Sequence, residues 1–508
     1  MIDQLKIKSA LISVYSKDGI EELARTLESY GIAIFSTGGT FDFLTAKGIM
    51  ATSIESVTSY PSILGGRVKT LHPKIFGGIL WRRNQLTDVE DIEKYEIPSI
   101  DLVIVDLYPF EKTVATTNND EEIIEKIDVG GVSLIRAAAK NFEHVVVVPS
   151  AELYSSLLQT LKNNHGATSL ADRKLFAAHA FNVSSHYDTQ IFNYFNREEH
   201  INVFRQSIPT ATPMRYGENP HQSATFYGDL KRVFTQLHGK ELSYNNLVDI
   251  DAAIQFISEF TEPTVAIIKH TNPCGVASRS TLLLAYLDAL ACDPVSAFGG
   301  IIIANGVIKK DIAEEINTLF FEVLIADNFE IDALEILKTK KNRIILQKNS
   351  FTFSKRQFKS LLNGVIDQNK DMKTEHISEF KYVTEIKPSA EESEALIFAN
   401  KIVKHLKSNT IVLIKERQLI GCGMGQTSRV DALRQAIIKA QAFGFSTKGS
   451  VMASDAFFPF ADCVELAKEA GVTAVIQPGG SIRDVDSIRY CNEHNMSMVF
   501  TGIRHFKH

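Results

Sequence analysis

Short apolar runs alternate with helix-like segments through the first part of the chain, and this alternation limits the folds open to it. The apolar runs at residues 9–14, 32–36 and 101–107 have the length and composition of buried strands. The segments at residues 17–30 and 132–141 have the periodicity of amphipathic helices. Strands that alternate with helices form a parallel, doubly wound α/β sheet, in which ligands bind at the carboxyl ends of the strands.

The rest of the chain alternates in the same way, and no short internal repeat is detectable. Residues 196–213 are polar and end in prolines, which favours a domain boundary near residue 200. A charged stretch of weak periodicity at residues 367–378 then separates two α/β lobes of similar size. The expected domains are residues 1–199 and 200–508, the second with lobes at about 200–375 and 376–508.

Composition narrows the class of protein. A chain of 508 residues with 44 % hydrophobic and 22 % charged residues can build several globular domains. The net charge of -6 argues against a nucleic-acid partner. The apolar runs are too short to cross a membrane, and charged residues near the N-terminus interrupt any signal-peptide core. The five cysteines are scattered and never spaced C-x-x-C, so we expect a cytoplasmic enzyme.

The segment GGRVKTLHP, residues 65–73, has the composition of a phosphate-binding loop. Its two glycines let the backbone approach a ligand, and Arg67, Lys69 and Thr70 supply donors suited to an anion. Gly38-Gly39-Thr40 opens a helix, whose free N–H groups also favour an anion. The alternative for residues 65–73 is a tight turn with two surface cations.

Three titratable residues nearby are candidates for proton transfer. Tyr108 follows a strand, Asp128 precedes Gly130-Gly131, and Lys140 lies near the end of the next helix. Two of them have simpler alternatives: Asp128 is also a natural helix N-cap, and Lys140 is a favourable cation at a helix C-terminus.

Two segments stand out in the second half. Residues 215–222, RYGENPHQ, combine a cation, an aromatic ring and several hydrogen-bonding side chains. Lys269 and His270 follow a buried strand, where the imidazole can remove a proton and the ammonium can donate one or hold an oxyanion. The alternative is a surface lysine beside a structural histidine. Pro273-Cys274 lacks the second cysteine of a zinc-deaminase motif, because Ala277 stands at that position, so we expect no zinc.

Motifs along the whole chain resemble one family. They are STGGT (36–40), GGRVKTLHP (65–73), LYPF (107–110), IDVGG (127–131), RAAAKN (136–141), RYGENPHQ (215–222), KHTNPCGVA (269–277), DPVSAFGG (293–300), SDAFFPF (454–460), QPGGSIRD (477–484) and RHFKH (504–508). In this order they are similar to the bifunctional purine-biosynthesis family that joins AICAR formyltransferase to IMP cyclohydrolase. That family carries out the last two steps of inosine monophosphate (IMP) synthesis.

The resemblance implies a fold, ligands and partners. It implies an N-terminal methylglyoxal-synthase-like domain for the cyclohydrolase and a C-terminal transferase of two cytidine-deaminase-like lobes without zinc. It also implies a homodimer with transferase sites at the subunit interface. The implied ligands are AICAR, formyl-AICAR and IMP, with 10-formyltetrahydrofolate as cosubstrate and with neither nucleic acid nor membrane as a partner.

The resemblance also assigns residues to the two sites. In the cyclohydrolase, those implied to hold the nucleotide are Ser13, Lys17, Ser36, Gly38, Gly39, Thr40, Arg67, Lys69 and Thr70, and those implied to stabilise the oxyanion and move protons are Lys69, Tyr108, Asp128 and Lys140. In the transferase, His270 is implied to deprotonate the AICAR amine, Lys269 to protonate the departing folate nitrogen or stabilise the oxyanion, and Asn409 to orient the formyl oxygen. The implied pocket residues are Arg215, Tyr216, Phe298, Glu322, Arg429, Phe457, Asp462, Arg504 and His508.

Among the departures from the family pattern, one bears on a candidate site, and two alternative functions remain. Asp106 stands where the family usually has Asn before LYPF, which puts a carboxylate near the cyclohydrolase pocket. A transferase with a weakened cyclohydrolase is therefore one alternative. The other is a nucleotide-binding regulatory protein without turnover, against which the set Lys69, Lys269, His270 and Asn409 argues, because binding alone does not need it.

Overall fold

The computed structural model describes residues 4–508. They form two compact units, which divide between Pro209 and Thr210. The division lies inside the polar, proline-ended stretch at residues 196–213.

The first unit is built on a five-stranded parallel sheet. Its strands, in spatial order, are Thr52–Ser53, Ala33–Ser36, Ser9–Ser13, Leu102–Val105 and Val146–Val148. Alternate residues of the same strands enter two separate hydrophobic clusters, for example Ile104 in one and Val105 in the other. Both faces of the sheet are therefore covered, and the predicted doubly wound parallel sheet is confirmed.

Helices cover this sheet and close the unit. Their bounds are Ile20–Ser29, Gly38–Ala46, Ile54–Thr58, Pro73–Leu80, Leu86–Lys94, Phe110–Thr116, Asp120–Ile124, Gly130–Lys140, Tyr154–Asn163 and Leu170–Glu199. The helix predicted at residues 17–30 begins only at Ile20, because Gly19 adopts the left-handed conformation with φ 74°. The last helix starts at a capping box, in which Ser169 and Asp172 each accept the other's backbone N–H. A short antiparallel pair, Gln4–Lys6 with Ala167–Ser169, lies beside its start.

The second unit is built on one continuous twelve-stranded sheet. Its strands, in spatial order, are Phe234–His238, Ile344–Lys348, Val323–Ala326, Ile301–Ala304, Thr264–Lys269, Asn272–Ser278, Gln418–Gly423, Ile411–Lys415, Val451–Ser454, Ala474–Gln477, Ser497–Phe500 and Lys381–Tyr382. The helices against it are Tyr244–Ile257, Leu282–Cys292, Pro294–Ala297, Lys310–Thr318, Ile331–Leu337, Ala390–Val403, Arg429–Ala442, Asp462–Glu469 and Asp484–Glu493. Three two-stranded pairs complete the unit: Ala211–Met214 with Ala224–Tyr227, Val307–Ile308 with Asn328–Phe329, and Arg356–Leu361 with Gly364–Asn369.

This sheet consists of two copies of one arrangement, which we call the first repeat and the second repeat. Each copy has a helix that starts at a capping box, at Ser243 or Ser389, followed by a β-hairpin with a bulge in its second strand. Three parallel strands then follow, beginning with Ile301–Ala304 in the first repeat and Val451–Ser454 in the second. The sequence indicates two lobes of similar size but shows no internal repeat, because only the backbone plan and a few positions are shared.

The repeats join through their hairpins in an antiparallel manner. Ala277 of the first repeat pairs with Gln418 of the second. Because neighbouring hairpins run in opposite directions, the turn of the first hairpin, residues 269–272, lies at the same edge of the sheet as Ile411 and Ser454. We call this edge, which carries residues 269–272, Ile411 and Ser454, the site edge.

Candidate active sites

A cavity of about 550 Å³ opens in the first unit at the carboxyl ends of its parallel strands. Nine residues that the sequence singled out line it: Ser13, Lys17, Gly39, Thr40, Arg67, Lys69, Thr70, Tyr108 and Asp128. Tyr15, Asp106, Glu125 and the backbone of Gly130-Gly131 complete the wall. The phosphate-loop interpretation therefore rests on residues from five separate segments that meet in one place.

The loop after the strand Ser9–Ser13 is fixed by side chains from two neighbouring elements. Thr40, at the start of its helix, donates its hydroxyl to the carbonyl of Val14 over 3.0 Å. The carboxylate of Asp106 accepts the backbone N–H groups of Tyr15 and Ser16, the latter over 2.9 Å. Burial raises the pKa of the Asp106 carboxyl against these two bonds and against the charge of Lys17. Asp106 is thus bonded to the loop backbone, and its departure from the family pattern has a local role.

The glycine segment brings Lys69 into the cavity. Gly65 and Gly66 have φ of 64° and 93°, which favours glycine at both positions. A Cβ on Gly66 would lie 2.7 Å from Cε of Lys69, and one on Gly38 would lie 3.4 Å from its Nζ. Bare backbone at these two places is what lets the Lys69 side chain reach between the two phosphate-loop candidates.

Tyr108 and Asp128 face the same cavity. Burial raises the pKa of Tyr108, and the negative charges of Asp128 and Glu125 act in the same direction. Burial also raises the pKa of Asp128, opposed by the N–H of Gly131, which donates to its Oδ1 over 2.6 Å. Asp128 therefore accepts an N–H from the first turn of the helix that begins at Gly130, but the N-cap position is Val129 and not Asp128 as the simpler alternative expected; Asp128 also lines the cavity. A Cβ on Gly131 would approach Asp128 Oδ2 to 2.4 Å, so this close approach needs glycine.

Three of the predicted residues of this site lie outside the cavity wall. Ser36 is fully buried and donates to the carbonyl of Ile12 over 2.8 Å. Gly38 contributes through its contact with Lys69. Lys140 is exposed at the last turn of the helix Gly130–Lys140, about 15 Å along the helix from the cavity at 1.5 Å per residue. The structure thus places Lys140 as a cation at a helix C-terminus.

A second cavity, of about 470 Å³, lies at the site edge of the second unit. Five predicted residues line it: Arg215, Tyr216, Lys269, His270 and Glu322. Residues that sequence reasoning missed complete it, among them Lys240, Asn246 and Asp249. Asn246 donates its side-chain amide to Glu322 over 2.9 Å, and Arg215 donates to the Tyr216 hydroxyl over 2.8 Å.

Lys269 and His270 occupy the turn of the first hairpin. Nζ of Lys269 donates to the carbonyl of Phe298 over 2.7 Å, which holds the ammonium at the mouth of the cavity. Phe298 is 61 % exposed, and its ring lies 5.0 Å from the ring of Phe320. The turn therefore presents a cation and an imidazole, and an exposed aromatic residue supplies the carbonyl that binds the cation.

The remaining predicted residues form a second cluster, also at the site edge. Asn409 donates its amide to the carbonyls of Gln426 and Thr427 over 3.0 and 3.2 Å. Arg429 lies 3.6 Å from the fully buried Asp455, and the planes of Arg429 and Arg504 both face the ring of Phe506. Burial lowers the pKa of Arg429, partly offset by Asp455. Nε of Arg429 and Oδ2 of Asp455 are buried without a hydrogen-bond partner, which leaves polar capacity for a ligand.

Phe457, Asp462 and His508 lie around this cluster as exposed side chains. Phe457 follows the strand that ends at Ser454, and Asp462 begins the helix Asp462–Glu469. His508 lies 5.6 Å from the ring of Phe506. Asp455 was missed by sequence reasoning, although its place inside the motif SDAFFPF could have marked it.

Neither a cluster of metal-binding side chains nor a membrane-spanning helix is present among the residues that the structure describes. Within residues 4–508, three or more His, Cys, Asp and Glu side chains nowhere gather as a metal ion would require. Over the same range, no helix has both the length and the apolar character needed to cross a membrane.

Comparisons with known proteins agree with this organisation. A family model described as "AICARFT/IMPCHase bienzyme" matches residues 138–439, and a model of the MGS-like domain matches residues 19–133. The chain is 58 % identical over 508 residues to the "Bifunctional purine biosynthesis protein PurH" of Bacteroides thetaiotaomicron, covering 100 % of both chains. It is 48 % identical over 517 residues to the protein of that name from Acetivibrio thermocellus, covering 99 % of this chain and 100 % of the relative.

The solved structure described as "Crystal structure of ForH" is 34 % identical and covers 37 % of this chain and 99 % of its own, with a TM-score of 0.34. The family match and the full-length relatives confirm the resemblance read from the motifs, and the MGS-like match confirms the expected N-terminal fold. The chain belongs to the AICARFT/IMPCHase bienzyme family, the bifunctional AICAR formyltransferases and IMP cyclohydrolases of purine biosynthesis.

Proposed function

We propose that the two activities of the family occupy the two units, the cyclohydrolase in the cavity of the first and the formyltransferase at the site edge of the second. The observation that carries this assignment is the gathering of Lys17, Arg67 and Lys69 with Tyr108 and Asp128 in one cavity. Cations suit a ribose phosphate, and the two acids suit proton transfer to the base.

In the cyclohydrolase, the substrate formyl-AICAR already holds both reacting groups. Its carboxamide nitrogen attacks its own formyl carbon, a C–N bond forms, and the former formyl oxygen leaves as water. Because the reaction is intramolecular, orientation and charge stabilisation supply most of the catalysis. Ser13, Thr40, Arg67 and Thr70 hold the nucleotide, with Gly38 and Gly39 as backbone contacts, and Ser36 supports the strand end.

Lys69, Tyr108 and Asp128 divide the proton and charge work. The ammonium of Lys69 stabilises the oxyanion that forms on the formyl oxygen. The raised pKa of Tyr108 keeps its hydroxyl protonated as a donor to that oxygen, and the raised pKa of Asp128 brings its carboxyl nearer to neutrality, where it can accept the proton of the attacking nitrogen. A catalytic role for Lys140 stays a prediction, to be tested with Lys140→Ala.

The test uses formyl-AICAR as the sole substrate. Lys69→Ala and Tyr108→Phe should each lower kcat by about 10²- to 10⁴-fold, the range for loss of an oxyanion donor or a general acid. AICAR formylation by the same variants should stay within about twofold, which serves as the folding control. Unchanged cyclisation in both variants would remove these roles.

In the formyltransferase, the family implies a folate-type formyl donor, and we propose 10-formyltetrahydrofolate. The AICAR amine attacks the formyl carbon while His270 takes its proton. The tetrahedral oxyanion is held by Lys269 and Asn409, and Lys269 protonates the folate nitrogen as its C–N bond breaks. Arg215, Tyr216, Glu322 and Arg429 contribute to the nucleotide pocket, and the exposed rings of Phe298 and Phe457 offer stacking surfaces for a pterin.

The spacing of the strands supports a homodimer with shared transferase sites. Lys269 ends the strand Thr264–Lys269, and Asn409 lies just before the strand Ile411–Lys415. These two strands are three spacings apart in the sheet, about 14 Å at 4.8 Å per spacing. One formyl group cannot contact Lys269 and Asn409 of the same chain across this distance. Two chains, in contrast, can bring Lys269 of one beside Asn409 and Arg504 of the other. Asp462 and His508 join the second chain's contribution.

Mixing inactive variants tests this arrangement. Chains with Lys269→Ala and chains with Asn409→Ala are denatured together, refolded and assayed for formyl transfer. Sites shared between chains should recover about a quarter of the wild-type activity, because half of the dimers are mixed and each mixed dimer has one intact site. Recovery of nothing, with normal refolding of wild type, would place the whole site in one chain.

Two finer points complete the proposal. The lobes of the second unit correspond to the two repeats, and their likeness to cytidine deaminases stays a prediction. We propose that the enzyme works in the cytoplasm, as its five unpaired, buried cysteines suggest for a reducing compartment.

A further inference from the structure

The turn that carries His270 has a backbone conformation that its side chains resist. His270 and Thr271 have φ of 50° and 66°, in the left-handed region. A two-residue hairpin turn of this kind favours Asn, Asp and Gly, and each other residue placed there costs about 1–2 kcal/mol. Neighbouring contacts therefore have to hold the turn in place.

The second repeat contains the same turn without His270. Glu416 and Arg417 have φ of 48° and 56°, and the bulge in the following strand recurs as well. Arg279 braces this turn by donating from Nη1 to the carbonyl of Glu416 over 2.6 Å and of Arg417 over 3.4 Å. The left-handed turn is thus a property of the hairpin, and only its surroundings differ between the repeats.

Asp249 braces the turn of the first repeat. Its Oδ1 accepts the backbone N–H of Thr271 over 2.7 Å. Asp249 comes from the helix Tyr244–Ile257, and the corresponding helix Ala390–Val403 has Ala395 at the matching position, counted from the capping serines. This carboxylate is therefore a feature of the first repeat, where the candidate catalytic pair lies.

Asp249 also lines the transferase cavity, together with Lys269, His270 and Glu322. Burial raises the pKa of its carboxyl, and Glu322 acts in the same direction, whereas the Thr271 N–H, His270 and Lys269 favour the charged form. The amide that Asp249 holds belongs to the peptide between His270 and Thr271. Fixing this peptide plane fixes ψ of His270 and with it the direction in which the imidazole leaves the backbone.

We infer that Asp249 is a positioning residue of the formyltransferase, which holds the Thr271 N–H and thereby aims the His270 imidazole at the substrate. The inference rests on the role proposed above for His270. Asp249 acts through the turn, so the property it needs is an acceptor oxygen at this place rather than a negative charge.

The experiment compares Asp249→Ala with Asp249→Asn in the full-length protein. The Ala variant should lose about 10- to 100-fold in transferase kcat, the cost of a catalytic group displaced by about an ångström, with KM for AICAR within about threefold. The Asn variant keeps an acceptor oxygen and should recover kcat to within about threefold of wild type. Asp249→Leu, which has the same branching without an acceptor, replaces the Ala variant if the latter does not fold.

Three controls separate the possible failures. Asp251→Ala, on the same helix, should leave kcat unchanged, and conversion of formyl-AICAR to IMP should be normal in every variant. His270→Ala is measured beside them: if it retains activity, the proposed role of His270 fails. If His270→Ala is inactive while Asp249→Ala is as active as wild type, or while Asp249→Asn is as slow as Asp249→Ala, the positioning role of Asp249 is overturned.

Discussion

The two repeats of the second unit share a backbone plan but carry the side chains of the proposed transferase site at opposite ends of it. In the first repeat the hairpin turn carries the proposed catalytic pair, Lys269 and His270, whereas the matching turn of the second repeat has Lys415 and Glu416 and is held by Arg279. At the other end of the first strand, Asn305 of the first repeat accepts the N–H of Thr264 over 2.7 Å, and Asp455 of the second accepts that of Thr410 over 3.2 Å.

The difference teaches that the place of each repeat in the assembled sheet decides which of its two ends carries residues of the proposed site. The position of a residue within its own repeat does not decide this. The antiparallel junction between Ala277 and Gln418 turns the second repeat upside down relative to the first. The turn of the first repeat then reaches the site edge, and so does the start of the first strand of the second repeat. The opposite ends keep the same backbone and lie at the other edge of the sheet, where we propose no catalytic role.

The largest expected effect separates the two turns. Lys269→Ala and His270→Ala should each lower transferase kcat by about 10²- to 10⁴-fold, because each removes a proton-transfer or oxyanion group. Lys415→Ala and Glu416→Ala, at the matching positions, should leave it within about twofold. Steady-state formyl transfer measures both pairs, and equal losses in the two turns would break the comparison.

His505, which lies after the last strand of the second repeat, should make the free energy of unfolding depend on pH. His505 is buried between Asp371 and Glu375, at 2.6 and 2.8 Å, and these carboxylates raise its pKa to about 9 against the opposing effect of burial. Because the pKa is raised on folding, the stabilisation is full below the unfolded pKa of about 6.5 and is lost as pH rises through about 9.

We expect a loss of roughly 3 kcal/mol in unfolding free energy across this window, at about 1.4 kcal/mol per pKa unit. Urea unfolding followed between pH 6 and 10 checks it. His505→Asn is the control: it should be less stable at pH 6 and should lack this portion of the pH dependence. A wild-type protein whose stability is constant over the window contradicts the charged state of His505.

The next largest effect is expected to distinguish the two repeats at the start of the first strand of each hairpin. Arg429→Ala should raise KM for AICAR about 10- to 100-fold, because it removes charge-assisted hydrogen bonds worth about 1.5–3 kcal/mol and leaves Asp455 buried without its partner. Asn305, at the matching place in the first repeat, holds the carbonyls of Phe260 and Glu262. Asn305→Ala should lower the melting temperature and leave KM for AICAR unchanged. A raised KM in this variant would contradict the proposal that AICAR binds at the site edge.

The smallest effect concerns the brace of the second turn. Arg279 also contacts Asp288 and Gln418, so it links the two repeats. Arg279→Ala should cost about 1–3 kcal/mol of stability, the usual result of leaving polar groups unsatisfied, with transferase kcat within about twofold. Denaturant unfolding and formyl transfer on the same sample measure both quantities. A large loss of kcat at normal stability would give this turn a function that we do not assign to it.

The sequence predicted the elements well where their signals are local. Apolar runs marked the strands at residues 9–14 and 264–269 to within one residue, and glycine motifs marked the loops around Lys69 and Asp128. The helix at residues 17–30 was placed three residues early because Gly19 stops it in the left-handed conformation. Local chemistry also led to Lys269 and His270, since both follow an apolar strand.

The rest depended on contacts between distant segments. Asn246 and Asp249 read as ordinary polar residues of a helix until the fold brings them beside Glu322 and Thr271. The repeat escaped detection because few side chains are shared by the two copies, while hydrogen-bond patterns and turns are. Lys140 shows the reverse case: its motif predicts a place in the site, whereas the helix carries it about 15 Å from the cavity, and its catalytic role stays a prediction.

The most direct test of two sites in one chain is product analysis with AICAR and 10-formyltetrahydrofolate, comparing wild type with Lys69→Ala. Wild type should form IMP, and the variant should accumulate formyl-AICAR at the wild-type rate of formyl transfer, because its second unit is untouched. A no-enzyme control with formyl-AICAR has to stay slow. If the variant forms IMP as fast as wild type, or if it also fails to formylate AICAR, the assignment of one activity to each unit is contradicted.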